Sequence, residues 1–350
     1  MKGFKPLAYL QNKIYFYKRG RLYLLDDNGL KEVTRLFQTG WKDSTRFFVR
    51  LFRREPKYAV PLEDNKLLIV YKRKLFLFEP VKKTLTCIAN ARDGFSDPLN
   101  ICVTSGKWLA VWGDYGQNKE HAPIYIYGLK KDLTVETIAA FEAGKIRHIH
   151  NIIHRRSGGY YIFTGDQEEN AGIYQCDSDF RLIKLVKTGK QMYRAVVGFD
   201  TDKGLLYATD AVNEQNYIYL LEDGKKPQVI TKLNGSCIYG CKIRNNYLFS
   251  TTVEPDENNR GITSWISSKR GEGILSDEVH LVCVDENLKS SVVTKFEKDF
   301  FPMKLMQYGS IQFLHGDGQD MWIYPVAVKR ADGRARKVSY STILGGRKSL

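Results

Sequence analysis

The stretch KIYFYKRGRLYLLDDNGLKEV, residues 13–33, decides the fold because its pattern returns along the chain. It reads as strand, tight basic turn, strand, polar turn and strand, with the alternation of apolar and polar residues that half-buried strands have. The stretch KLLIVYKRKLFLFEPVKKTLTCI, residues 66–88, repeats the same order. A unit that recurs at this spacing indicates a repeat architecture built of short β-strands.

The repeat continues along the sequence with a different turn between its second and third strands. Seven units of roughly 45 to 55 residues result, each with three or four strands, which is the spacing of propeller blades. The sequence therefore predicts an all-β fold, a seven-bladed β-propeller of four-stranded antiparallel blades. The later units contain AVWGDYGQNKEHAPIYIYG (110–128), YIFTGDQEENAGIYQCD (161–177), LYATDAVNEQNYIYLLED (206–223) and QFLHGDGQDMWIYPV (312–326).

We expect a single propeller domain over residues 1–350, because closed β architectures often reach this length. One unit carries an insertion in its turn at 254–279, with the glycines and polar residues that are typical of a mobile cover. Only residues 138–146 have the apolar spacing of a short helix. The basic segment 342–350 is predicted to be a solvated tail.

A formal net charge of +15 favours anionic partners, such as acidic glycans, phosphorylated groups or nucleic acid. No recognised nucleic-acid-binding motif accompanies the charge, so nucleic acid is the least favoured of these partners. The sequence contains neither the apolar run of a signal peptide nor one long enough for a transmembrane helix. Its six cysteines are irregularly spaced, so we expect reduced thiols and a cytoplasmic protein.

Blade geometry predicts that unusual side chains gather at one mouth of the central channel, where inner strands begin. Residues two apart on a strand share a face about 6.6 Å from each other, so His148 and His150 are predicted to converge. His154 would lie about 13 Å farther along the strand. The pair is open to three interpretations: channel-lining residues bonded to loops, groups that contact substrate or transfer a proton, or a divalent metal site completed by Gln191 or an acid.

Other polar residues are predicted at the same mouth. The turns WGD, TGD, ATD and HGD place Asp114, Asp166, Asp210 and Asp317 there, although an aspartate also caps such turns for purely local reasons. The predicted catalytic residues are His148, His150, Asp166, Tyr193 and Arg194; the predicted substrate-binding residues are Asp114, Gln191, Asp210, Asn213, Gln215, Asn216 and Tyr239.

The run from His148 to Tyr219 carries HIH, TGD, GIYQCDSDFRLIKLV, KQMYRAV, YATD and NEQNYIY in that order. This run resembles the BNR, or Asp-box, β-propellers of bacteria and archaea. Members of that group often occur alongside polysaccharide synthesis, and their biochemical role is poorly defined. The resemblance implies polysaccharide-assembly proteins as partners. The Asp-box hairpin is degenerate here, because Cys176, Ser178 and Ile183 stand at its Ser, Asp and Trp positions.

The first candidate function is a carbohydrate-active enzyme that acts on a glycan containing uronate or sialate. Uronate lyases also use seven-bladed propellers, with histidines, an arginine and in some cases a divalent ion near the channel mouth, so this candidate rests on analogy. A lyase would use Arg194 as carboxylate clamp, His148 or His150 as base and Tyr193 or Tyr239 as acid, whereas a glycosidase would use Asp166 and Asp210 as paired carboxylates.

The second candidate function is a non-catalytic propeller that binds glycans or organises a polysaccharide-assembly complex. Its basic surface would attract acidic polymer, other proteins or anionic lipid headgroups. The two candidates differ in the geometry they need. An enzyme needs the histidine pair, an acid and Arg194 around one pocket, whereas a scaffold tolerates histidines that are occupied by backbone hydrogen bonds.

Overall fold

The computed structural model describes residues 1–259, 261–318 and 320–345, and these consist mostly of strands and turns. Seven antiparallel sheets follow one another along the chain, and within each sheet the strands pair in sequence order. The sheets are the blades of a seven-bladed β-propeller, so the predicted fold is confirmed.

Blades 1 to 4 have four strands each. They contain β1 (Lys5–Leu10), β2 (Lys13–Lys18), β3 (Arg21–Asp26), β4 (Gly29–Arg35), β5 (Tyr58–Pro61), β6 (Leu67–Tyr71), β7 (Lys74–Glu79), β8 (Thr84–Asn90), β9 (Cys102–Val103), β10 (Trp108–Gly113), β11 (Ile124–Lys130), β12 (Val135–Phe141), β13 (His148–His154), β14 (Tyr160–Gly165), β15 (Gly172–Cys176) and β16 (Ile183–Thr188).

Blades 5 and 6 also have four strands, and the described part of blade 7 has three. Residues 1–3 lie beside blade 7, where Lys2 forms a bridge with Arg334 and Gly3 donates its N–H to Gly333 O. The strands are β17 (Ala195–Thr201), β18 (Gly204–Thr209), β19 (Tyr217–Leu221), β20 (Gln228–Lys232), β21 (Cys237–Ile243), β22 (Asn246–Thr251), β23 (Glu278–Val284), β24 (Ser290–Glu297), β25 (Ser310–Phe313), β26 (Met321–Val326) and β27 (Arg336–Val338).

The chain packs into two compact units, each with its own apolar core. The first unit contains residues 1–59, 211–218 and 229–350, and the second contains residues 60–210 and 219–228. The second unit is built around isoleucines and aromatic residues of β10 to β14, including Trp108, Ile126, Ile149, Ile152 and Ile162. The first has two apolar clusters, which include Leu248, Leu281 and Ile323 in one and Phe16, Trp322 and Tyr324 in the other.

A β-bulge recurs near the start of the inner strand in four blades. In each, the pairing with the second strand skips one residue. A bulge re-aims the side chains around it and is often found beside functional sites. The skipped residues are Leu7 in β1, His150 in β13, Val196 in β17 and Ile238 in β21.

The helix expected at 138–146 is absent, and this prediction was wrong. Residues 135–141 form the outer strand β12, paired with β11. The pairing places Ala139 opposite Ile126 and Thr137 opposite Tyr127, which leaves Ile138 as an extra residue. This irregularity interrupts the period of two, so the apolar residues fell by chance at helical spacing.

Short helices occur instead in the connections between strands and after β27, where the sequence analysis expected none. These helices are short, and a short segment shows only a weak helical period in its apolar residues. The α-helices are α1 (Arg46–Leu51), α2 (Met303–Met306) and α3 (Tyr340–Gly345), and the 3-10 helices are Trp41–Asp43, Gln191–Tyr193 and Ile262–Trp265.

The predicted insertion and tail belong to the first unit. The insertion at 254–279 connects β22 to β23 and contains the 3-10 helix Ile262–Trp265. Of the predicted tail at 342–350, residues 346–350 lie outside the described residues. Within the described ranges, no helix has the length and apolarity needed to cross a membrane.

All six cysteines are free thiols, as the sequence analysis expected. Four of them are buried, and burial raises the pKa of Cys102 and of Cys176 to about 12. Such thiols stay protonated near neutral pH and are therefore poor nucleophiles.

His315 makes stability depend on pH. Burial, followed by repulsion from Lys5, lowers the pKa of His315 to about 4, and its ring packs on Tyr58 with centroids 5.2 Å apart. The folded state therefore favours the neutral ring, and this stabilisation is present above pH 6.5 and lost as pH falls towards 4. Between pH 7.5 and 4.5 the free energy of unfolding should fall further for the wild type than for His315→Gln, by on the order of 2 kcal/mol. Urea unfolding of both proteins at the two pH values measures this difference.

Candidate functional site

The candidate site begins with β13 and β14 of blade 4. His148 pairs with Gly165 at the end of β14, and His150 is the skipped residue of the bulge. A bulged residue loses ladder partners, and here Asn100 Nδ2 donates to the carbonyl of His150 at 3.1 Å. The two imidazole rings lie 4.9 Å apart between centroids, closer than the spacing of an unbroken strand.

Both imidazoles are oriented by the main chain. His148 Nδ1 lies 2.6 Å from Gly116 O, and His150 Nδ1 lies 2.9 Å from Ala195 O. A carbonyl only accepts hydrogen bonds, so each Nδ1 must carry the proton. In the neutral ring each Nε2 is then a lone-pair donor, and both Nε2 atoms face Asp166 Oδ1, at 3.3 and 3.1 Å.

Two imidazole nitrogens and one carboxylate oxygen, each with a lone pair, thus lie next to one another. The side chains of His148 and His150 are 2% and 1% exposed, and that of Asp166 is 25% exposed, so the site opens to solvent through the carboxylate. His148 Nε2 is buried, and its nearest described polar contact is Asp166 Oδ1 at 3.3 Å. Such a set of acceptors is stable only if a proton or a cation lies among them.

The pKa shifts agree with this electrostatic picture. Burial lowers the pKa of His150, which outweighs the opposing hydrogen bond to Asp166. Burial alone would raise the pKa of Asp166, but the neighbouring His148, His150 and Arg194 hold it well below its ordinary range. Near neutral pH the carboxylate is therefore charged and His150 is neutral.

The residues fit a divalent metal ion. Ligands 2.0 to 2.2 Å from an ion lie about 3 Å apart when they are neighbours in its coordination shell. The 3.1 and 3.3 Å separations match this spacing, and all three ligand atoms lie within 4.8 Å of one another. Two imidazole nitrogens and one carboxylate oxygen suit Mn²⁺, Zn²⁺ or Fe²⁺. Among the described residues, no other cluster of His, Cys, Asp and Glu has this geometry.

Residues from the next connection hold Asp166 in place. Arg194 Nη2 lies 3.3 Å from Asp166 Oδ1, and Arg194 Nε lies 3.7 Å from Asp210 Oδ2. Gln191 Nε2 donates to the carbonyl of Asp166 at 2.9 Å, so this amide supports the loop. Tyr193, half-buried, ends the same 3-10 helix. The structure thus brings His148, His150, Asp166 and Arg194 together, and Tyr193 is the neighbour of Arg194 in the chain.

Three neighbours escaped the sequence analysis. Gly165 lies so close to His150 that a Cβ atom on it would stand 2.3 Å from the ring, so only glycine fits there. The ring of Tyr115 packs on His148, with centroids 4.7 Å apart, and Asn100 holds the bulge. Gly165 and Tyr115 were visible in the sequence as parts of TGD and WGDY, whereas Asn100 carries no motif.

The carboxylate of Asp114, which was predicted to bind substrate, makes its bonds within the protein. It is 4% exposed and pairs with Arg92 at 2.9 Å. Its carboxylate also accepts the Tyr125 N–H and the Tyr127 hydroxyl, at 3.0 and 3.1 Å. Because these groups use the buried carboxylate, contact with a glycan would require the turn to rearrange.

Two of the predicted sugar-binding amides, Gln215 and Asn216, are likewise bonded to backbone groups. Asn216 is fully buried, accepts the Ala211 N–H at 2.9 Å and donates to Ala211 O at 2.7 Å. Gln215 donates to Leu233 O at 2.8 Å. Asn213 is half-buried, with its side-chain oxygen shielded from solvent. These bonds have a simple physical reason, because side-chain amides in turns often bond to nearby backbone.

Tyr239 and Asp317 belong to the first compact unit and the histidine pair to the second, whereas His154 is the last residue of the strand that carries the pair. Tyr239 belongs to the first unit, where its hydroxyl accepts Gln312 Nε2 at 3.3 Å. Asp317 is exposed in the turn between β25 and β26. His154 ends β13, with Nε2 2.7 Å from Val103 O, so it is separate from the pair as predicted.

Solved structures share this fold at low sequence identity. An oligogalacturonate lyase in complex with manganese is 10% identical, with a TM-score of 0.54, over 93% of this chain and 88% of that chain. The oligogalacturonate lyase of Vibrio parahaemolyticus is 9% identical, with a TM-score of 0.50, over 89% and 86%. A chain of the mitotic checkpoint complex is 7% identical, with a TM-score of 0.51, over 92% and 86%.

These likenesses establish the fold alone. Lyases and a mitotic assembly resemble the chain to nearly the same degree, so the fold does not select a function. No protein-family model and no curated protein matches the sequence. The function must therefore be argued from the side chains of the site.

Proposed function

We propose that the chain is a carbohydrate-active β-propeller that binds a divalent metal ion and acts on a uronate-containing oligosaccharide by β-elimination. The observation that carries the proposal is the convergence of His148 Nε2, His150 Nε2 and Asp166 Oδ1. Oligogalacturonate lyases with the same fold, one of them solved with manganese, support this substrate class by analogy. Membership of the Asp-box propellers remains part of the proposal.

His148, His150 and Asp166 would hold the ion. A divalent ion bound there supplies positive charge that stabilises the charge developing on a substrate carboxylate. An ion held by these three side chains would be able to bind substrate or water as well, as ions in catalytic metal sites do. The hydrogen bonds of Nδ1 to Gly116 O and Ala195 O keep both rings in the tautomer that offers Nε2.

The other side chains orient and transfer protons. Arg194 holds Asp166 in place, and both of its ion pairs are made within the protein. The substrate carboxylate would therefore be bound by the ion and not by Arg194. Histidines that hold an ion through Nε2 do not also accept a proton there. Tyr193, half-buried and next to Arg194 in the chain, is our candidate for the proton shuttle. As the phenolate it would take the proton next to the substrate carboxylate, and as the phenol it would return that proton to the sugar oxygen that leaves when the glycosidic C–O bond breaks.

A non-catalytic glycan-binding propeller is the second candidate. It is favoured by the engagement of Arg194 with two carboxylates and of both Nδ1 atoms with carbonyls, which are the contacts of a structural core. In that case the metal ion would fix the loop that ends at Asp166, and glycan binding would occur without turnover.

The test combines metal content with turnover and binding. We expect purified protein to hold close to one divalent ion per chain, and oligogalacturonates to yield unsaturated products that absorb ultraviolet light. His150→Ala should lower turnover at least about 100-fold. His154→Ala, on the same strand but exposed and outside the site, is the matched control and should retain activity.

Three outcomes separate the candidates. Turnover that His150→Ala abolishes and His154→Ala spares supports the enzyme. Glycan binding by calorimetry with no turnover on a panel of uronates and sialosides supports the binding propeller. Wild-type protein that binds no divalent ion overturns the metal site itself.

A further inference from the structure

Three short helical segments of the first unit pack together. The helix α2 packs against both α1 and the 3-10 helix Ile262–Trp265. The rings of Phe47 and Phe301 lie 5.8 Å apart, and Arg53 Nη2 donates to Lys304 O at 3.2 Å. The segments therefore form one continuous surface.

This surface is apolar although it faces solvent. Ile262 is 90% exposed and Phe300 is 78% exposed. Every exposed Trp and Phe side chain in the described part of the protein lies on these segments or in their flanking turns. Single exposed apolar residues are common, but such a concentration of large ones indicates a binding surface. We call it the aromatic face and define it by Trp41, Phe47, Ile262, Trp265, Ile266 and Phe300.

The aromatic face carries positive charge. Lys42 lies over the rings of Trp41 and Phe52, at 5.5 and 4.7 Å from their centroids. Arg53 and Lys304 donate to carbonyl oxygens, which do not neutralise them. These cations are therefore available to an anionic partner.

Three carboxylates in or beside these segments are withdrawn from the surface, whereas Glu257 is exposed. Asp43, 3% exposed, pairs with Arg54, and Asp256, 7% exposed, pairs with Lys269. Asp299, 10% exposed, pairs with Arg50 and Lys298. Exposed aromatic side chains with cations beside them, and with these acids turned inward, complement a surface that is both apolar and negatively charged.

We propose that the aromatic face docks the protein on an anionic membrane surface. Trp and Phe side chains enter the boundary between headgroups and acyl chains, where their rings are favoured, while Lys and Arg attract anionic headgroups. The apolar tips come from three separate segments. A lipid surface accommodates such tips without the shape complementarity that a protein partner requires.

The proposal is tested with vesicles and the whole chain. We expect the protein to sediment with vesicles of phosphatidylcholine and phosphatidylglycerol, and weakly with phosphatidylcholine alone. Salt should weaken the binding because the headgroup attraction is screened. Tryptophan fluorescence should shift to shorter wavelength with the mixed vesicles, because Trp41 and Trp265 leave water.

The variant Trp41→Ser/Ile262→Ser/Phe300→Ser removes three exposed side chains. We expect its partition to the mixed vesicles to fall at least about 100-fold, since each lost apolar contact weakens partition roughly tenfold. Val81→Ser is the matched control, because Val81 is 95% exposed in the turn between β7 and β8 and also stands beside lysines. Unchanged thermal unfolding would show that both variants fold.

The outcomes are decisive. Binding that requires phosphatidylglycerol, is lost in the triple variant and is kept by Val81→Ser supports membrane docking. Absence of wild-type binding, or equal binding by the triple variant, overturns it. Light scattering that detects a dimer which the triple variant abolishes, without vesicle binding, assigns the aromatic face to a second copy of the chain instead.

Discussion

Replacement of Asp166 by alanine is expected to lower the affinity for Mn²⁺ at least about 100-fold, because loss of a ligand exceeds the effect of losing a group behind one. Asp166 Oδ1 is the only oxygen in the cluster of three ligand atoms. The negative charge of its carboxylate would attract a cation. Calorimetric titration of metal-stripped protein with Mn²⁺ measures this affinity without any substrate.

The matched control for this substitution is Asp317→Ala. Asp317 also follows a glycine in a turn between the second and third strands of the predicted repeat, but it is exposed. Its variant should bind Mn²⁺ as the wild type does. Equal affinity of Asp166→Ala and wild type would mean that Mn²⁺ binds elsewhere, and the proposed ligand set would have to be abandoned.

The second large effect concerns stability. Arg50→Met should lower the free energy of unfolding by about 3 kcal/mol, because removal of one partner leaves a buried charge without its counterion. Arg50 is 3% exposed, lies 2.5 Å from Asp299 and donates from Nε to Met306 O at 2.9 Å. It thereby fastens α1 to the end of α2. Thermal unfolding followed by calorimetry measures the change.

Arg53→Met is the control for Arg50→Met. Arg53 directly follows the same helical region but is exposed, so its loss should change stability by no more than about 1 kcal/mol. If both variants unfold at the same temperature, the buried ion pairs of Arg50 contribute little net stability, as compensation between desolvation and attraction allows.

The sequence predicted which side chains lie close together where one repeat could be aligned with another. His148 and His150 occupy the start of an inner strand, and Asp166 follows the second strand, so the blade pattern alone brings them together. Arg194 precedes the next inner strand and was found by the same logic. These predictions required only strand order, which periodicity reveals.

The sequence could not predict features that depend on hydrogen-bond register. The bulge at His150 needs the pairing of β13 with β14, and its carbonyl partner Asn100 comes from the preceding blade. The hydrogen bonds of Asn216 could not be predicted for a related reason. Whether an amide bonds to its own loop or to a ligand depends on backbone geometry that residue type does not encode.

The carbonyl partners of the two Nδ1 atoms have a consequence for divergence. Gly116 and Ala195 hold the imidazoles through peptide oxygens, which every residue type possesses. Ring orientation therefore depends on the local backbone path and not on side-chain chemistry at those two positions, although packing favours small residues there, since Ala195 is fully buried and a Cβ on Gly116 would lie 3.2 Å from Phe95 Cα. Distant relatives are best sought by the sparse signature H-x-H followed by Gly-Asp after fourteen intervening residues, rather than by overall resemblance.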